Sequence, residues 1–241
     1  MSFLEQVKES FLELLFPNGL SCPACDAEIC EGLLCGECMA KIVPIEKPCP
    51  RCGRNTLGGG GFCSSCKSRI PYFDGGASAC EYDGAAKALL GRLKNGHRYA
   101  AKAVAALMLD AFKGSFFEFD VVTCVPVTPK VKRIRGYNQS LLLAQIIATN
   151  LEKELDGQSL VKSRDTAYQK DLPASRRHAN IEGAFKLTDR NAFSGKKVLL
   201  VDDVMTTGST LSECAKVLKK GGASAVFCLT FASVGESVKL D

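Results

Sequence analysis

The stretch Val198-Leu199-Leu200-Val201-Asp202-Asp203-Val204-Met205-Thr206-Thr207-Gly208-Ser209-Thr210 reads as an apolar strand, two acids, a short loop rich in threonine, and the start of a helix. Ligands of open parallel sheets bind at the carboxyl ends of strands, and this is such an end. The loop offers the hydroxyls of Thr206, Thr207, Ser209 and Thr210, together with backbone N–H groups at a helix N-terminus whose dipole favours an anion. Gly208 has no Cβ, so the backbone can approach a phosphate closely and take a positive φ without penalty. Asp202 and Asp203 are acceptors suited to sugar hydroxyls or, through water, to Mg²⁺. Two adjacent acids alone would read as solvated turn residues. Their order with strand, loop and helix points instead to a phosphate cradle. No Gly-Lys-Ser/Thr ending follows, which speaks against a Walker-type nucleotide loop.

Outward from this stretch, apolar strands alternate with helical patterns from Pro71 onward. The spacing predicts strands at 77–82, 120–127, 197–204 and 225–232, and helices near 84–95, 99–112, 138–155 and 209–220. That alternation implies an α/β fold, a mostly parallel sheet flanked by helices. Before Pro71 the composition shifts to Cys, Pro and Gly with few large apolar residues. Such a stretch needs a cross-link or metal to hold a structure. Residues 1–70 therefore read as a helix plus a small cysteine-rich zinc-binding domain, and 71–241 as the sheet domain.

Nine of the 13 cysteines fall between Cys22 and Cys66, and eight of those are paired as C-x2-C. The pairs are Cys22/Cys25, Cys35/Cys38, Cys49/Cys52 and Cys63/Cys66. Four thiolates make a closed tetrahedral zinc site, so about two structural Zn²⁺ are expected rather than a reaction centre. Disulfides and iron–sulfur chemistry are the competing readings, and crossed pairing, with the first and third pairs sharing one ion, stays open. Cys30 reads as a free thiol. Cys80, Cys124, Cys214 and Cys228 lie singly in apolar or mixed segments and read as small buried hydrophobes.

The net charge of +5 over 241 residues mildly favours polyanions and decides little. Charged residues interrupt the apolar positions of the first seventeen residues, so a secretory signal is not indicated. Phe3, Val7, Phe11, Leu14 and Leu15 instead recur at helical spacing. No apolar run reaches the roughly 18 residues of a membrane-spanning helix, and the expectation is a soluble, cytoplasmic protein. Three basic clusters stand out. Lys130, Lys132, Arg133 and Arg135 crowd a loop after a strand end, where they suit a phosphate or a nucleic-acid backbone. Arg176, Arg177 and His178 fit a mobile lid, and Arg92, Lys94, His97 and Arg98 follow a helix. Few aromatics interleave these residues, although stacking platforms are usual for single-strand binding.

The stretch 198–210 closely resembles the phosphoribosyl pyrophosphate (PRPP) signature of type I phosphoribosyltransferases. The resemblance implies that Asp202 and Asp203 hold the ribose hydroxyls, that Thr206, Thr207, Gly208, Ser209 and Thr210 wrap the 5′-phosphate, and that Mg²⁺ accompanies PRPP. The segment Val125-Pro126-Val127-Thr128-Pro129-Lys130, followed by Arg133, Arg135, Gly136, Tyr137, Asn138 and Gln139, resembles the ComF pattern PVPLHPxRxxxRGFNQ. A second run matches as well: Thr166, Gln169, Leu172, Arg176, Arg177, Asn180 and then Gly183-Ala184-Phe185. Thr128 stands where that pattern commonly has His, and Lys130 where Arg is usual. With the cysteine pairs, the similarity to the ComF family spans nearly the whole chain.

The resemblance implies a competence protein that handles single-stranded DNA during natural transformation and binds PRPP as ligand or regulator. Lys130, Arg133 and Arg135 would meet pyrophosphate or DNA phosphate. Partners would be DNA-uptake proteins such as a helicase or membrane channel, reached at the inner face of the membrane. The alternative is a transferase joining the phosphoribosyl group of PRPP to a base or other acceptor. No catalytic residue is identified from the sequence.

Overall fold

The computed structural model describes residues 21–57, 61–115, 117–164 and 180–236. The expected N-terminal helix and the Arg176–His178 cluster lie outside them. A five-stranded sheet runs in the order β1 (Gly75–Glu81), β7 (Ala225–Ser233), β6 (Lys197–Met205), β2 (Val121–Cys124) and β3 (Glu154–Leu155). Every pairing in it is parallel. β4 (Leu160–Lys162) and β5 (Phe185–Leu187) make a separate antiparallel pair on either side of residues 165–179, which the sequence pattern did not announce. The helices are α1 (Gly36–Ala40), α2 (Ser64–Ser68), α3 (Gly84–Lys94), α4 (Ala100–Lys113), α5 (Pro129–Arg135), α6 (Gln139–Asn150) and α7 (Ser209–Lys220).

Helices cover both sheet faces, so the central strands are apolar throughout. Leu199, Val201, Leu229 and Phe231 pack with α3, α4 and α6, while Val198, Leu200, Val226 and Cys228 pack with α7 on the other face. The single cysteines Cys80, Cys124, Cys214 and Cys228 are all buried in these layers.

The cysteine-rich segment is continuous with both layers. Cys22, Ala24, Leu34 and Cys38 join the α3–α4–α6 cluster, and Cys49, Cys52, Cys63 and Cys66 join the α7 cluster. Between them the chain crosses the free edge of β1, where Pro44 bridges Cys80 and Glu81 N–H donates to Val43 O at 2.8 Å. An otherwise open strand edge is thereby covered. Gly53, at φ +73°, lies so close to β1 that a Cβ there would sit 2.5 Å from Gly76 O. An Arg92–Asp26 ion pair fixes the first cysteine unit to α3.

Three boundaries differ from expectation. β2 stops at Cys124 rather than 127, because Pro126 cannot donate to a ladder. The predicted helix 138–155 ends at Asn150; Glu152 turns left-handed at φ 53°, and Leu155 pairs with Val122 as an edge strand. The basic segment expected as a loop is the helix α5. Thr128 accepts from Val131 N–H at its N-cap, Pro129 opens its first turn, and Gly136 closes it at φ 80°.

Candidate functional site

β6 extends through both acids to Met205, so Asp202 and Asp203 lie within the strand, and their side chains leave on opposite faces. Asp202 Oδ1 accepts from Ser140 Oγ at 2.8 Å and from Asp203 N–H at 2.9 Å. Asp203 Oδ2 lies 2.7 Å from Lys94 Nζ, an ion pair at the end of α3. Both carboxylates are almost fully buried. Burial, followed by the charge of Asp203, pushes the Asp202 carboxyl up to about 8 against the opposing hydrogen bonds and Lys94. Burial alone would lower the Lys94 ammonium, yet Asp203 outweighs it and the net direction is upward.

After Met205 the chain turns through Thr206 and Thr207 into Gly208, which caps α7 at φ 79°. Thr207 Oγ1 and Ser209 Oγ are 2.8 Å apart, and Ser209 N–H points to Thr207 Oγ1 at 3.4 Å. A concavity of about 190 Å³ is lined by Asp202, Val204, Met205, Thr206, Gly208, Ser209, Thr210 and Leu211. It combines hydroxyls and first-turn amide groups with one buried carboxyl at its wall. Asp203 is not part of this wall; Lys94 holds it on the other face.

The pK of Asp202 has a consequence for stability. Its folded value of about 8 lies above the ordinary 3.8, so the folded state holds the proton more tightly. The associated stability is complete below about 3.8 and is lost as pH rises toward 8. Asp202→Asn is expected to flatten this decline in ligand-free, zinc-loaded protein. Thermal melts across this range check it, and parallel curves for both proteins would contradict the assignment.

Helix α5 carries Lys130, Lys132 and Arg133 outward, with no residue of the helix buried. Arg135 is engaged with Gln139 Oε1 at 3.1 Å. Tyr137 anchors the turn by donating to Leu93 O and by lying under Arg98 at 4.6 Å. Asn138 ties α6 to β2 through Val125 O at 3.1 Å. α5 contributes no wall to the 190 Å³ concavity.

The cysteines gather as Cys22, Cys25, Cys35 and Cys38, and as Cys49, Cys52, Cys63 and Cys66, with all four sulfurs in each group within 4.8 Å of one another. Crossed pairing is thereby excluded. The Cys25–Cys35 and Cys52–Cys63 sulfurs lie 3.7 Å and 3.6 Å apart. Disulfide sulfurs would be about 2.05 Å apart. Four sulfurs tetrahedrally placed at about 2.3 Å from one zinc would be separated by nearly the distances seen here. Cys30 stands outside both groups and is exposed.

Two family models match the chain. A double zinc ribbon domain matches residues 11–67, and a phosphoribosyl transferase domain matches residues 137–241. The DNA utilization protein YhgH of Escherichia coli K12 is 30% identical over 204 residues, covering 81% of this chain and 89% of the relative. The chain belongs to the ComF family. Competence protein F of Haemophilus influenzae is 29% identical, covering 80% of this chain and 87% of its own. Competence protein ComFC of Streptococcus pneumoniae is 26% identical, covering 81% and 86%. Among solved structures, the glutamine PRPP amidotransferase of B. subtilis aligns with a TM-score of 0.39 at 23% identity, over 55% of this chain and 26% of that one.

As a ComF protein the chain thus couples a zinc ribbon carrying two four-cysteine sites, for about two Zn²⁺, to a phosphoribosyltransferase-type sheet. No helix among the described residues is long and apolar enough to cross a membrane. Sequence reasoning missed the partners of the acids. Ser140 carries no signal beyond its place after the basic helix, whereas Lys94 already stood in a basic cluster. His97 of that cluster faces Tyr99 Oη at 3.2 Å.

Proposed function

We propose that this ComF protein binds a phosphoribosyl ligand, PRPP with Mg²⁺, at the 202–210 segment and handles single-stranded DNA during uptake. The observation that carries the reading is the hydroxyl- and amide-lined concavity at the carboxyl end of β6, with Asp202 at its wall. The 5′-phosphate would lie against Thr206, Thr207, Gly208, Ser209 and Thr210, and the ribose hydroxyls would meet Asp202 and Asp203. Mg²⁺ would neutralise the diphosphate.

Asp203 reaches the ribose only after parting from Lys94, so ligand and Lys94 exchange places on that carboxylate. The exposed cations Lys130 and Arg133, with Arg135, are suited to a passing phosphate backbone or the diphosphate. Competence and DNA utilization are the named roles of the relatives. In this reading the chain works with DNA-uptake proteins such as a helicase or membrane channel, on the inner side of the membrane. On the same reading, residues 1–70 carry the zinc module and 71–241 the ligand-binding sheet. The test is titration of one zinc-loaded preparation with PRPP and Mg²⁺ by calorimetry and with single-stranded DNA by fluorescence anisotropy. Saturable binding of both supports the reading, and binding of neither overturns it.

A further inference from the structure

Arg54 immediately follows the Cys52-Gly53 turn of the second zinc unit and is only 6% exposed. Its Nη1 reaches Val234 O at 3.4 Å, while its buried Nε has no hydrogen-bond partner among the described residues. No carboxylate pairs with it among those residues. Burying a guanidinium is costly unless its donors are used. An orphaned buried donor of this kind marks a place where an acceptor belongs.

Arg54 also lines an open cleft between the second zinc unit and the phosphate loop. Arg54, Arg69 and Ser65 line it from the zinc side, and Thr207, Ser209 and Ser212 from the loop and first turn of α7. It shares Met205, Gly208 and Ser209 with the 190 Å³ concavity, so the loop forms a common wall. Arg54 Nη2 lies 3.9 Å from where a Cβ on Gly208 would project. Two arginines, three serines and a threonine thus line one cleft beside the start of α7, with Ser212 Oγ accepting from Tyr72 N–H at 3.1 Å.

We propose, resting on the phosphoribosyl reading above, that Arg54 and Arg69 form an anion pocket for a phosphate group distinct from the one assigned there to the 206–210 loop, which makes the zinc ribbon part of the ligand site. Arginine suits this because its planar fork can give two parallel hydrogen bonds to one phosphate. The phosphate has two possible sources: a small phosphate ion or ester, or a phosphodiester of a nucleic-acid strand. A role limited to offsetting thiolate charge in the neighbouring tetrad would give Arg54 no reason to respond to phosphate.

The test uses the zinc-loaded full chain titrated with inorganic phosphate while the Arg54 Nε–H resonance is followed by NMR. The expected result is a saturable shift of that resonance, retained when Thr206→Val and Thr210→Val remove hydroxyls that line only the loop concavity. Arg54→Gln is expected to weaken the accompanying Ser65 and Ser212 amide shifts by about tenfold or more, as for loss of a charged hydrogen bond. Zinc content should be unchanged. Arg69→Gln, at an exposed position, should weaken the same shifts several-fold and guards against misfolding of the Arg54 variant. Adding a single-stranded oligonucleotide without terminal phosphate then separates the sources: displacement of phosphate assigns the pocket to phosphodiesters, and persistence assigns it to small phosphates. An Arg54 resonance that ignores phosphate, or shifts that vanish only with the Thr206 and Thr210 substitutions, would overturn the proposal.

Discussion

Cys49→Ser protein is expected to retain zinc at the first tetrad only and to melt at a markedly lower temperature than the wild type. Structural zinc contributes about 10–16 kcal/mol of apparent binding free energy in small modules. Whole domains are stable by only about 5–15 kcal/mol, so a cysteine module that loses its ion has little left to hold it. Cys49, Cys52, Cys63 and Cys66 are also packed in one cluster with Phe73, Val226 and Leu211, so their release exposes a face of the sheet domain. The helical circular dichroism signal should persist, because α3, α4 and α6 pack in the other cluster. Elemental analysis and thermal melts check this. A Cys49→Ser protein with wild-type zinc content or an unchanged melt would refute the tetrad assignment.

The second large effect is expected at the acid pair. Replacing Asp202 and Asp203 by Asn keeps side-chain shape but removes the Asp203 charge and, at each position, a carboxyl oxygen that a ribose hydroxyl or its ion would use. Charge-assisted hydrogen bonds contribute about 1.5–3 kcal/mol each, so losing two should weaken PRPP binding by about 100-fold or more. Asn is preferred to Ala because truncating Asp203 would leave buried Lys94 beside a void. Calorimetry with PRPP and Mg²⁺ measures the change, and an unchanged affinity in a folded double variant would move the ligand elsewhere.

Much of the fold and of the site is legible in the sequence. The apolar run through Val201 announced a buried parallel strand, and the Thr-Thr-Gly-Ser-Thr order announced a loop entering a helix, because both signals are local. C-x2-C spacing likewise announced the ligand turns, although only folding showed which pairs share an ion. The Thr128-Pro129 start and Gly136 stop of α5 were also present in sequence, but the density of positive charge suggested a loop. Lys94 against Asp203 and Ser140 against Asp202 were not legible, since residues 109 and 62 positions apart meet only through the sheet crossover. Arg54 was hidden for the same reason: its burial depends on Gly53 docking against Gly76. Long-range packing sets these contacts, and no periodicity encodes them.

Handling of single-stranded DNA by this chain is measured by anisotropy titration of a labelled single strand across a salt series. Saturable binding is expected at low salt, with log affinity falling against log salt by a slope of about −0.7 for each phosphate contacted. Charge reversal at Arg133 and Arg135 should flatten the slope and weaken all sequences about equally, because backbone contacts carry no base information. Absence of binding at low salt, or affinity indifferent to those reversals, would contradict the claim that this chain holds the strand through α5.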